Sequence, residues 1–301
     1  MAHLRSGLAA GVGAYLLWGL FPLYWPLLEP AAPVEILAHR IAWSLLFLVG
    51  VLALGAGFAW ARTLDRRRVK LLALAAALIT VNWGTFIYGV NSGHVVETSL
   101  GYFIGPLVSV GLGVTVLRER LSNEQRLAVA IAAVAVVVLA VDYGRLPWIA
   151  LTLAFSFGTY GLVKKRAGVD GAQSLAVETA LLMLPALAYI VFVEADGSGT
   201  LRSEDAGHVL LLVASGVVTA LPLILFGVAA IRIPLTTIGL LQYLAPSLQF
   251  LIGVLVYDEA MPLSRLAGFA LVWLALAVFT VGALSRPRPT LGRCPAPAET
   301  T

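Results

Sequence analysis

Charge is scarce in this chain. Of 301 residues only 12% are Asp, Glu, Lys or Arg, while 60% are hydrophobic, and the mean hydropathy is +0.93. Soluble domains hold about 25% charged and about 45–50% apolar residues, so the composition excludes a soluble globular protein and points to a polytopic membrane chain. Cysteine is limited to Cys294 in the tail, which excludes an intrachain disulfide or a cysteine-ligated metal. The four histidines, His3, His39, His94 and His208, do not stand at metal-ligand spacing. Neither a metal nor any other cofactor is expected. Walker A, H-E-x-x-H and G-x-S-x-G patterns are missing. An enzyme is therefore not expected, and transport would have to run on a gradient or on exchange. The net charge of +4 and pI near 9.4 do not argue for a nucleic-acid partner, because no soluble region carries a basic face.

Long apolar runs are abundant. A span needs about 20 apolar residues, and charge, Pro and Gly punctuate the chain into ten candidates: 7–28, 34–57, 69–90, 95–117, 125–142, 146–164, 172–194, 207–230, 235–257 and 264–284. The first run follows Arg5 as in a signal peptide but exceeds a normal h-region, so it reads as an uncleaved helix. The Pro-rich end, "SRPRPTLGRCPAPAETT", is expected to be disordered. With the N-terminus inside, 16 of the 20 Lys and Arg fall on inner segments. Only Arg145, Arg202 and Arg265 fall outside, and Arg40 lies within a span. The positive-inside rule then puts both termini in the cytoplasm of a cell whose inner membrane the chain crosses.

An internal repeat is visible. "GPLVSVGLGVTVLRERLS" matches "APSLQFLIGVLVYDEAMP" at an offset of 140, aligning Pro106 with Pro246, Gly113 with Gly253 and Glu119 with Glu259. "WGLFPL" matches "FGTYGL" at 139, and "TSLG" matches "TTIG" at 138. Two halves of five spans each, 1–142 and 143–285, would enter the membrane with opposite orientation. Such inverted repeats characterise secondary transporters whose substrate site lies near the midplane between the halves. The expected fold is all-α, with ten transmembrane helices in two inverted five-helix repeats.

Polar groups inside the spans are the candidate site. "EILAHRIAWSLLFLVG" places Glu35, His39 and Arg40 near the start of the second span. Arg40 is expected roughly 9 Å deep at about 1.5 Å per residue. It can snorkel to the interface, or face a wet cavity and bind an anion or an acidic partner such as Glu97 or Glu178. Trp43, three residues on, is positioned to stack on its guanidinium. At offset 139, His39 falls on Glu178 and Arg40 on Thr179. The run "NWGTFIYGVNSGHVVETSLGYFIGP" supplies Asn82, Trp83, Tyr88, Asn91 and Tyr102, with Glu97 beyond any capping position. Pro106 and Pro246 sit mid-span, where proline kinks a helix, and Gln242, Tyr243 and Gln249 flank the second. Trp18, Tyr24 and His39 complete the candidate substrate-binding set; Glu35, Glu97 and Glu178 are the proton-coupling candidates. Glu119 and Glu259 end matching spans and read as caps of the helices that follow them.

"GAYLLWGLFPLYW", "EILAHRIAWSLLF", the Asn82–Leu107 run and "QYLAPSLQFLIGVLVYDE" resemble the RarD-type branch of the EamA family in the drug/metabolite transporter superfamily. Generic EamA members lack the His-Arg and Asn-Trp-Gly stretches, and the likeness extends over about residues 5 to 284. The resemblance implies a central cavity lined by helices 1–4 and 6–9, with helices 5 and 10 peripheral. It implies export or exchange of small metabolites or drugs across a bacterial inner membrane, by a monomer or homodimer; some family members bear a chloramphenicol-resistance label. An uptake permease for a small anionic metabolite is the alternative, with an intramembrane enzyme further behind.

Overall fold

Helices in the computed structural model begin and end where the sequence supplies caps and breakers. The structure describes residues 2–55, 57–92, 94–143, 147–257 and 263–284. Their regular elements are α1 (Ala2–Gly19), α2 (Phe21–Tyr24), α3 (Pro33–Leu54), α4 (Arg66–Asn91), α5 (Val95–Val116) and α6 (Asn123–Tyr143), followed by α7 (Trp148–Ala167), α8 (Gly171–Asp196), α9 (Ala206–Arg232), α10 (Leu235–Leu241), α11 (Leu244–Leu255) and α12 (Leu263–Leu284). Short 3₁₀ turns follow α2 and α3, and no strand occurs among the described residues. Pro33 opens α3 at a position where its missing N–H costs nothing. Asp170 and Asp205 cap α8 and α9 by accepting from Ala172 N and His208 N. Gly168 and Gly197 end α7 and α8 with φ of 60° and 80°, a left-handed conformation that glycine adopts without a Cβ clash.

Six stretches among the described residues are long and apolar enough to cross a membrane: His3–Leu28, Pro33–Leu54, Arg66–Gly89, Gly171–Asp196, Ala206–Arg232 and Leu235–Leu255. Their outer surfaces match that environment. Helix α8 exposes Leu181, Leu184, Leu187, Val191 and Phe192 while burying Leu175, Ala186, Ile190 and Val193. A helix apolar on every side belongs in lipid or in a core. The Pro-rich tail and Glu259 lie outside the described residues.

Helix α1 packs on α9, α4 on α7, α3 on both α8 and α9, α5 on α7 and α10, and α6 on α12. In lipid, such contacts depend on close approach across small residues. At the crossing of α3 and α9 a Cβ on Gly216 would overlap the backbone of Trp43 and Ser44, and Ser44 Oγ donates to the Gly216 carbonyl at 2.9 Å. Gly216→Ala is expected to lower stability by about 1–3 kcal/mol, the usual cost of overpacking; a thermal-shift measurement in detergent checks this.

The two mid-span prolines differ. The second span of the pair is interrupted between α10 and α11, with Pro246 in the first turn of α11, whereas α5 continues through Pro106. Helix α5 crosses α10 closely at this level: a Cβ on Gly239 would stand 2.7 Å from the Pro106 carbonyl oxygen, and one on Gly105 would stand 2.8 Å from Gln242 Nε2.

Candidate functional site

A cavity of about 360 Å³ occupies the end of the bundle where α1 and α4 finish and α3, α5 and α7 begin. Aromatic rings form much of its wall: Trp18, Phe21 and Trp25 from the end of the first span, Trp83 and Phe86 from α4, and Tyr102 from α5. Its floor is a stack of rings. Trp18 meets Phe157 and Phe226 at centroid distances of 5.7 and 5.8 Å, and Phe226 lies flat on Tyr160 at 5.7 Å.

Arg40 supplies the positive charge in the lining. Its Nε donates to Thr219 Oγ1 at 2.8 Å. Its guanidinium carbon sits 4.6 Å from the ring centroid of Trp25 and 5.1 Å from that of Trp83. Two indole faces therefore hold the cation laterally by cation–π attraction. Among the described residues no carboxylate lines the cavity and none pairs with Arg40.

The expected stacking of Trp43 on Arg40 is corrected. Trp43 Nε1 donates instead to His39 Nδ1, one helical turn back, at 3.3 Å. Residues four apart share a helix face, and that face turns away from the cavity that Arg40 enters. His39 and Trp43 are accordingly absent from the lining.

Of the other sequence candidates, Trp18, Asn82, Trp83, Tyr102, Gln242 and Gln249 line the cavity. The amides are oriented by backbone partners. Asn82 Nδ2 donates to the Leu153 carbonyl and Ser156 Oγ, both at 3.0 Å, and Gln249 Nε2 donates to the Trp18 carbonyl at 3.1 Å. Ser109 Oγ donates to Gln242 Oε1 at 3.4 Å. Three candidates lie elsewhere and serve packing. Tyr243 is buried and donates to the Phe103 carbonyl at 3.2 Å, Tyr24 donates to the Leu211 carbonyl at 2.6 Å, and Tyr88 stacks on His94. The Asn91 side chain lies outside the described residues.

The carboxylates are held away from the cavity. Glu35 Oε1 accepts from Thr200 N at 2.7 Å and Thr200 Oγ1 at 2.9 Å. Glu97 Oε1 accepts from Ile149 N at the start of α7 at 2.7 Å. Glu178 forms a buried ion pair with Lys164 at 2.7 Å and accepts from Tyr160 Oη at 2.9 Å. Lys164, counted from sequence among the inner loop charges, is thus an interior residue of α7. Glu119 does not cap the helix that follows it. Its two oxygens accept from Leu235 N and Thr236 N at 2.8 and 2.9 Å, at the start of distant α10. Helix α6 is capped instead by a reciprocal pair, Gln125 N to Ser122 Oγ and Ser122 N to Gln125 Oε1. Arg118, at φ 56°, turns the chain so that Glu119 reaches across. Lys165 Nζ donates to the Ala230 and Ile233 carbonyls at 3.3 and 2.6 Å and lies 4.0 Å from Glu119.

Sequence reasoning missed Tyr15, Phe21, Trp25, Phe157 and Thr219. Trp18, Phe21 and Trp25 stand at i, i+3 and i+7, a helical face that could have been read as one wall. Thr219 reaches Arg40 from 179 residues away, and no local pattern marks it.

The chain matches the EamA-like transporter family over residues 5–141. It is 55% identical to the protein RarD of Streptomyces exfoliatus over 298 residues, covering 98% of this chain and 95% of that protein. It is 44% identical to an uncharacterized transporter, YojE, of Bacillus subtilis, covering 93% of this chain and 95% of the relative. A solved crystal structure superposes with a TM-score of 0.73 at 20% identity, covering 94% of this chain and 100% of that one; at that identity the likeness shows the fold alone.

Proposed function

Because the chain belongs to the EamA-like transporter family, in its RarD-type branch, and is a multi-pass membrane transporter of the drug/metabolite superfamily, we propose that it works as a secondary transporter that exports or exchanges small amphipathic anions by alternating access. The observation that carries the choice of substrate is Arg40: a guanidinium between two indoles, at the wall of an aromatic cavity where no carboxylate among the described residues meets it. A charge buried in a span is costly unless it serves a ligand or partner. A carboxylate-bearing molecule of modest size would neutralise it by a charge-assisted hydrogen bond, with its apolar body against the rings.

Ten spans in two inverted repeats, 1–142 and 143–285, are part of this reading. A helix lies at each of the ten apolar stretches, the first formed by α1 and α2 and the ninth by α10 and α11. Packing supports the inversion: α1 meets α9 as its counterpart α7 meets α4, and α6 meets its own counterpart α12. With both termini cytoplasmic by the positive-inside rule, the cavity opens toward the extracytoplasmic face. The aromatic floor, and Glu119 and Lys165 tied to the ends of α10 and α9, then close the cytoplasmic side.

Counterflow in proteoliposomes tests this. Small carboxylates with an apolar body are expected to drive exchange, while amines of matched size and shape do not. Equal transport of the amines would defeat the anion assignment. Uptake of an anion rather than its release is the second reading, and the same vesicles distinguish the two by the direction of net flux under an imposed gradient.

A further inference from the structure

Directly beneath the cavity floor lies a second polar group that the outward-facing site does not use. Lys164 Nζ contacts Glu178 Oε1 at 2.7 Å and Ser174 Oγ at 2.6 Å, and both charged side chains are almost fully buried. Tyr160 closes the group from above: its hydroxyl donates to Glu178 at 2.9 Å, Lys164 Nζ stands 5.3 Å from its ring, and that ring stacks on Phe226 of the floor. One aromatic layer therefore separates a buried cation from the cavity.

The repeat gives this position a meaning. At offset 139, Lys164 corresponds to Trp25, Ser174 to Glu35, Glu178 to His39 and Thr179 to Arg40. Trp25 and Arg40, which meet at the outward-facing cavity, thus have counterparts in Lys164 and Thr179 of the opposite half, with the positive charge moved from α3 to α7. Exchanging the roles of the two repeats, which is what alternating access does in an inverted-repeat transporter, turns the Trp25 wall into a Lys164 wall.

We propose that Lys164 is the cation that meets the substrate's anionic group when the cavity opens to the cytoplasm, and that protonation of Glu178 releases it for that purpose. The inference rests on the alternating-access reading above. The proton is taken up on a Glu178 carboxylate oxygen; the ion pair breaks, and no other group changes state. Lys164 and Tyr160, both from α7, face Glu178. From α3, α4 and α9, the helices packed on α8, no other charged or titratable side chain among the described residues bears on it. In the outward-facing state Glu178 thus neutralises Lys164, leaving Arg40 to hold the anion. A proton bound during the transition reverses that assignment.

The test uses the full chain with Cys294→Ser and Thr179→Cys, in inside-out and right-side-out membrane vesicles. The probes are two methanethiosulfonates of similar size, one bearing a sulfonate and one a trimethylammonium group. Labelling is expected from the cytoplasmic face. The sulfonate-to-ammonium rate ratio should rise about tenfold or more from neutral to acidic pH, the size of effect that a unit charge within about 5 Å of a reacting thiol exerts even with near-aqueous screening. Glu178→Gln should hold the ratio high at every pH, and Lys164→Gln/Glu178→Gln, which leaves no unpaired charge, should hold it low. A ratio indifferent to pH and to both variants overturns the proposal, as does absence of labelling from the cytoplasmic face. Neither result depends on which substrate is carried, so the charge preference in counterflow stands or falls separately.

Discussion

Arg40→Ala is expected to reduce transport of every accepted anion by about 100-fold at subsaturating substrate, from the loss of about 3 kcal/mol of a buried charge-assisted contact. The argument is geometric. Arg40 is the cation that lines the cavity, and what holds it is neutral: Thr219 at 2.8 Å and the faces of Trp25 and Trp83. Removing it leaves no buried carboxylate stranded, so the fold should survive. Arg40→Lys should recover only part of the loss, because an ammonium lacks the planar fork that binds a carboxylate through two hydrogen bonds and stacks between two indoles. Initial rates of counterflow, normalised to the monodisperse protein recovered by size-exclusion chromatography, measure this. Unchanged rates in Arg40→Ala would remove the anion site, and collapse of the folded peak would make Arg40 a structural residue.

The second large effect concerns stability. Lys164→Ala is expected to cost about 3–5 kcal/mol, because removing one partner of a buried ion pair leaves the other charge uncompensated. Glu178 would retain Tyr160 as a hydrogen-bond donor but lose its counter-charge. The double change Lys164→Met/Glu178→Met should return most of the stability, since neither charge remains to be desolvated. Thermal unfolding in detergent, read for both variants, gives the comparison. A Lys164→Ala protein as stable as the parent would mean that Glu178 is protonated in the resting state.

Class and periodicity were legible because they are local. Apolar runs of span length and the offset between "WGLFPL" and "FGTYGL" need only the chain itself. So does the suspicion attached to Arg40 and to the Asn82–Pro106 run: polar side chains in a span require a reason, whatever surrounds them. Of the residues singled out in this way, Trp18, Arg40, Asn82, Trp83, Tyr102, Gln242 and Gln249 line one cavity. His39, Trp43, Tyr24, Tyr88 and Tyr243 lie off that cavity for a common reason. Helical spacing says which residues share a face of one helix; it is silent on which neighbouring helix that face meets.

The sequence by itself determined a multi-pass membrane chain and an arginine within a span that had to be accounted for, since apolar run length and the cost of a charge inside it are properties of residues and their neighbours along the chain. The tertiary structure decided who answers whom. It gave Arg40 to Trp25 and Trp83 rather than Trp43, and Glu119 to the start of α10 rather than α6. It sequestered Glu35 on Thr200, Glu97 on Ile149 and Glu178 on Lys164. The physical reason is that a buried carboxylate takes whatever donors the packing brings within hydrogen-bond reach, and the free backbone N–H groups at the start of a helix are available to any chain segment that arrives there.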